Sequence, residues 1–126
     1  MTVRVASACD IPAIELPGRR LQLLVTPETL GAQRISLAIM DCPPGSTVRP
    51  LHSHPEAEEV IYIIEGQGEA WVNGEVAPFR QGDAVLFPVN SRHMVRNTGS
   101  GPLRTCSIYS PPTTPDSYVL YEGEGW

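Results

Sequence analysis

The chain has 126 residues, 41% of them hydrophobic, with nine basic against fourteen acidic side chains and a formal charge of −5. This length suits one domain with its own core, and the apolar fraction excludes a disordered chain. The acidic balance, with no basic run to neutralise phosphates, argues against nucleic acid as a partner.

Thirteen prolines and eleven glycines punctuate short apolar runs. This is the pattern of an all-β sandwich or barrel. Val3 to Ala6 is at best an edge strand. Arg20 to Val25 follows, closed by Thr26-Pro27. Gln33 to Met40 runs into the turn signal Cys42-Pro43-Pro44-Gly45. Val48 to His54 leads to Pro55, and Glu58 to Glu65 is a strong strand. Gly68 to Val72 pairs with Glu75 to Phe79 across Asn73-Gly74. That dipeptide favours a type I′ hairpin, which needs positive φ at both central residues. Ala84 to Phe87, His93 to Asn97 and Leu103 to Tyr109 complete a set of about eight to ten strands with no helix. From Pro111 the proline-rich tail is expected to run extended across the outside of the barrel. Tyr118 to Tyr121 would dock there or on a partner.

No apolar run approaches the roughly 18 residues that span a bilayer, so no membrane association is expected. Met1 to Gly18 carries Asp10 and Glu15 and has no continuous apolar stretch, so no signal peptide is read there. Cys9, Cys42 and Cys106 are widely spaced and read as reduced thiols of a cytoplasmic protein.

The chain's three histidines fall into one frame with a carboxylate: His52, His54, Glu59 and His93. Imidazole and carboxylate are ligands for divalent transition metals. His52 and His54 are two apart, so on a strand both point the same way. Glu59, Ile61 and Ile63 share one face of the next strand, and Glu58, Val60, Tyr62 and Ile64 share the other. Both faces are apolar beyond the first residue, so alternation does not choose between Glu59 and Glu58. His93 comes from a later strand in line with Val95 and Asn97. Asn97 is a candidate for supporting the ligands by a hydrogen bond across the interior.

These segments resemble the two motifs of the cupin family. The first, Gly-x5-His-x-His-x3,4-Glu-x6-Gly, is matched by His52, His54, Glu59 and Gly66, with Gly45 one residue too far away. The second, Gly-x5-Pro-x-Gly-x2-His-x3-Asn, is matched by Gly82, Pro88, His93 and Asn97. Asn90 stands where the glycine is usual, a mild departure because Asn tolerates left-handed backbone. The resemblance selects Glu59 over Glu58 by its distance to Gly66. It implies one cupin domain over residues 1–126: a double-stranded β-helix, or jelly roll. The motifs lie within 45–97 and the tail covers 111–126. It also implies one divalent metal ion inside (Mn, Fe, Ni, Zn, Cu or Co) and a homodimer.

Three neutral imidazoles and one carboxylate leave a divalent ion with a net charge of about +1 and open positions for oxygen ligands. The resemblance implies a metal-dependent enzyme acting on a small oxygenated molecule, with a dioxygenase-type oxygenase taken first. An isomerase or lyase of a small hydroxy-carbonyl compound and a non-catalytic sugar or acid binder stand as alternatives. Arg34, Met40, Phe87, Val95 and Tyr109 are candidates to line the substrate pocket. Arg92 and Arg96 alternate with His93 and are expected outside. Ser53 should point away from the ligands, which leaves no nucleophile–base pair.

Overall fold

A computed structural model describes residues 2–126. Its strands are β1 (Ile14–Leu16), β2 (Arg19–Val25), β3 (Ser36–Cys42), β4 (Leu51–Ser53), β5 (Glu58–Glu65), β6 (Gln67–Val72), β7 (Glu75–Arg80), β8 (Ala84–Phe87), β9 (His93–Asn97), β10 (Leu103–Ser110) and β11 (Val119–Tyr121). They form two antiparallel sheets, one in the order β1-β2-β3-β10-β5-β8 and the other β11-β4-β9-β6-β7. The all-β jelly roll expected from the sequence is the fold. The helical content among the described residues is two single 3₁₀ turns, Ala8–Asp10 and Pro115–Ser117. Among the described residues, no helix is long and apolar enough to cross a membrane.

Alternation sets the core. On β5, Glu59, Ile61 and Ile63 are buried while Glu58, Val60, Tyr62 and Ile64 are exposed. Ile61 and Ile63 pack with Leu21, Met40, Phe87 and Val95 between the sheets. Full burial of a side chain such as Ile63 contributes about 1.5–3 kcal/mol. The Asn73-Gly74 turn has φ of 49° and 92°, as a type I′ hairpin requires. At Gly66 the chain leaves one sheet for the other with φ of 93°. A Cβ there would lie 2.4 Å from the Pro102 carbonyl oxygen, so only glycine fits the crossing.

Both ends depart from the sequence reading. Val3 to Ala6 forms no strand: Val3 and Val5 are exposed, and Arg4 Nη1 donates to the Leu30 carbonyl. The edge strand is β1 instead, a three-residue run that pairs with β2 from Ile14↔Leu21 to Leu16↔Arg19. The tail is not merely extended on the outside. Val119–Tyr121 adds to the free edge of β4, with Leu120 opposite His52. An edge of unpaired backbone groups is thereby covered by the same chain. Beside it, Trp126 N–H contacts the Met94 sulfur at 3.2 Å, and Met94 is fully buried.

Candidate metal centre

Two neighbouring strands and the turns beside them bring the histidines together. His52 on β4 pairs directly with His93 on β9, and their ring centroids are 4.6 Å apart. His54 follows β4 at the start of the turn through Pro55. One potential ligand atom from each of His52, His54 and His93 lies within 4.8 Å of the others. Glu59 reaches the cluster from β5: its Oε1 is 3.0 Å from His54 Nε2 and 3.2 Å from His93 Nε2. All four residues are buried, whereas Glu58 is exposed. Glu59, and not Glu58, is the carboxylate beside the histidines.

The turn before β9 is held by Asn90, whose φ is 58°. Its backbone N–H donates to the His54 carbonyl at 3.1 Å, and its Oδ1 accepts from Ser53 Oγ at 3.0 Å. A residue in the glycine position therefore serves as a clamp between the two histidine-bearing segments. Ser53 spends its hydroxyl on Asn90 and Tyr121, away from the histidine cluster.

The donor set suits a divalent cation. His52 Nδ1 is 3.0 Å from the Pro50 carbonyl oxygen, and His93 Nδ1 is 3.0 Å from that of Ser91. A carbonyl only accepts, so in each ring Nδ1–H is the donor and Nε2 carries the lone pair. For His93 that lone pair faces Glu59 Oε1 at 3.2 Å, and His93 Nε2 is buried without a hydrogen-bond donor or acceptor. Two electron-rich atoms at that distance need a positive charge between or beside them, which a metal ion supplies. Burial, followed by the charge of His93, lowers the His52 pKa to about 3, so this ring stays neutral. Burial alone would raise Glu59, but the hydrogen bond with His54 and the closeness of the His93 ring outweigh it and hold the carboxyl well below its usual range.

The cavity above the cluster has a volume of about 30 Å³. Of the five sequence candidates for its wall, Met40, Phe87, Val95 and Tyr109 line it. Phe87 stacks on His93 with centroids 4.2 Å apart. Arg34 does not line it: it sits on an exposed bend before β3, where its carbonyl accepts from Ser110 Oγ. Asn97 is buried, but its amide donates to the Cys42 and Gly101 carbonyls and its Oδ1 accepts from Gly99 N–H. Those bonds fasten the turn after β9 rather than a ligand. Arg92 pairs with Glu124 and Arg96 with Glu69, away from the cavity.

Among the wall residues that the sequence reading missed, Arg19 and Tyr118 bring polar chemistry to the cavity. Arg19 is 8% exposed, and its Nη1 donates to the Pro17 and Arg49 carbonyls. Its guanidinium shares the cavity with Glu59, His52 and His93. The alternation Arg19-x-Leu21 was the available signal, since Leu21 is a core residue on the same face. Tyr118, from the tail, stacks on His52 with centroids 5.3 Å apart and 14° between ring planes. It meets His54 edge-on at 4.3 Å. Burial, with a smaller effect of the Glu59 charge, pushes its phenol up to about 12. Burial likewise puts Tyr109 well above its ordinary value.

A jelly roll with a buried three-histidine, one-carboxylate cluster narrows the class of β-barrel protein. Comparison with known proteins makes the class specific. The Cupin domain family model matches residues 38–109, and the chain belongs to the cupin family. It is 35% identical over 113 residues to "Polyketide synthase CurC" of Streptomyces cyaneus, covering 88% of this chain and 71% of that one. The structure of a "predicted oxalate decarboxylase" from Thermotoga maritima superposes with a TM-score of 0.74 at 25% identity, covering 85% of this chain and 98% of that one. The formate complex of Lactobacillus farciminis oxalate decarboxylase gives 0.79 at 26% identity, with 89% of this chain covered. The match spans only 34% of the Lactobacillus protein.

Proposed function

We propose that this protein is a metal-dependent enzyme acting on a small, oxygen-rich carboxylate. The observation that carries the proposal is Arg19, a buried guanidinium in the wall of a cavity that also holds His52, Glu59 and His93. Burying a cation is costly unless it meets an anion, and Glu59 is engaged by His54 and His93. A substrate carboxylate supplies the missing charge, and guanidinium geometry matches it. Two structural relatives named for oxalate decarboxylase support the same substrate class.

His52, His54, Glu59 and His93 would hold the ion. Bound there, it would polarise a substrate oxygen and stabilise negative charge as it develops. The chain's own residues do the rest. The carbonyls of Pro50 and Ser91 fix the ring orientation of His52 and His93. Arg19 orients the anion, and the apolar faces of Phe87, Met40 and Val95 keep water out, which strengthens the charge interactions inside. The phenols of Tyr109 and Tyr118 stay protonated at neutral pH and can donate to substrate oxygens.

Oxygenase chemistry is one use of this centre, and redox-neutral cleavage of a carboxylate is the other. The test uses protein of measured metal content. Oxalate should bind in a calorimeter, and R19M should weaken that binding at least tenfold while metal content stays the same. Equal binding by R19M would overturn the assignment of Arg19. Oxygen uptake during turnover supports the oxygenase, and carbon dioxide release without it supports decarboxylation.

A further inference from the structure

The tail holds Tyr118 over the histidines by contacts different from those of the barrel core. It leaves β10 through Pro111 and Pro112 and is tied at Thr113, whose N–H donates to Ser36 Oγ at 3.1 Å. Beyond Tyr118, β11 pairs with β4 over three residues. The remaining ties are isolated contacts, among them Trp126 N–H on the buried Met94 sulfur at 3.2 Å. Tyr121 Oη and Ser53 Oγ are 3.1 Å apart. Arg92 bonds Glu124 at 3.0 Å and stacks 4.1 Å over the Tyr121 ring. The two side chains of that ion pair are 47% and 50% exposed, and such pairs contribute little. Residues 113–126 therefore form a strap held by one three-residue ladder and isolated side-chain contacts, whereas β10 is paired along nearly its whole length on both sides.

The space over the histidines gives the strap its meaning. It is a small cavity of about 30 Å³, with Tyr118 as part of its wall. With an ion in place, the Tyr118 ring narrows the room left for a dicarboxylate. Most of the wall is side chains of the barrel strands, packed at crystal-like density. Tyr118 differs, since its backbone belongs to the strap, between the turn Pro115–Ser117 and β11.

We propose that Tyr118 is the specificity-determining residue of this centre: its ring is a removable wall that sets which substrates reach the histidines, and the strap 113–126 releases it to admit them. The proposal deepens the function proposed above by naming what limits its substrate, and it rests on metal binding at the same site. The occupied position of the ring, stacked on one ligand histidine and edge-on to another, is the place a substrate must take.

The experiment uses full-length protein loaded with one Co(II) per chain, compared as wild type, Y118A, Y118F and Y121F. Loss of cobalt absorption after excess EDTA gives the rate of metal release. Titration with oxalate and with the bulkier phthalate gives affinity. Y118A should release cobalt at least tenfold faster than wild type and bind phthalate at least tenfold tighter. Y118F, which keeps the ring, should restore slow release. Y121F leaves Tyr118 in place but removes the strap's contact with Ser53, and should speed release at least threefold. Unchanged release and unchanged phthalate affinity in Y118A would overturn the proposal. Should Y118A fail to fold, hydrogen exchange of wild-type amides decides: those of 119–121 should exchange at least a hundredfold faster than those of Ile61 and Ile63, and equal protection would overturn the strap. If wild type loads cobalt but ignores oxalate, the carboxylate substrate fails, while the contrast in release rates still tests Tyr118.

Discussion

Lowering the pH of the metal-free protein from 7.5 to 5.0 should destabilise it sharply, chiefly through His52. This ring has its pKa lowered from 6.5 to about 3 by burial and by His93. The unfolded chain therefore binds a proton in a range where the folded chain does not, and folding loses ground as the pH falls below the unfolded value. At pH 5 the difference of about 1.5 units from the unfolded pKa costs about 2 kcal/mol, and at pH 3, where the folded ring is half protonated, about 4 kcal/mol. The second figure approaches the low end of a typical domain's total stability of about 5–15 kcal/mol. Glu59 adds to the effect only further down, because its carboxyl is depressed and its contribution is lost as the pH falls below the unfolded carboxylate value. For a chain of this length, 2 kcal/mol corresponds to a fall of about 8 °C in Tm. Calorimetry of chelator-treated protein at pH 7.5 and 5.0 measures it. H52N can keep a donor toward the Pro50 carbonyl without the titrating ring, and should reduce the fall by at least half. A wild-type fall under about 2 °C, or an H52N protein with the wild-type pH dependence, would refute the reasoning.

Metal retention should decline from pH 7 toward 5, as protons compete for the imidazoles; elemental analysis after dialysis across that range reads it. E59Q should lower metal affinity about tenfold or more, whereas E58Q, on the exposed side of β5, should leave metal content unchanged. The outer face of the larger sheet carries Val60, Tyr62, Ile64, Leu86 and Ile108, all 36–51% exposed, with Val60 paired between Ile108 and Leu86. A contiguous apolar face of this kind favours a twofold partner. Sedimentation at micromolar concentration should give twice the 13.7 kDa chain mass, and L86E should return it to one; wild type at the chain mass would remove the dimer.

The histidine cluster was legible because two of its members obey a local rule. His52 and His54 lie two apart beside one short strand, and that spacing alone puts both on one side. The Asn73-Gly74 hairpin was legible for the same reason, since two residues of backbone preference decide a turn. The choice between Glu59 and Glu58 was not local. Both faces of β5 are apolar, and the inward one is known only by what packs on it: Leu21, Met40 and Phe87 cover Ile61 and Ile63, while Val60 and Tyr62 stay exposed. Motif resemblance supplied that choice where alternation did not. Asn97 was placed in line with His93 by alternation, yet its three hydrogen bonds are set by the loop that folds around it. Arg34 and Arg19 show the same limit in opposite directions. A strand boundary leaves Arg34 on a surface bend, and another draws Arg19 into the cavity. Tyr118 lies 64 residues from His54, and no pattern in either segment announces their contact. Sequence by itself determined what is periodic within a strand or a turn. Tertiary structure decided which face is inside, where the tail returns, and which ring closes the centre, because these depend on contacts between segments far apart in the chain.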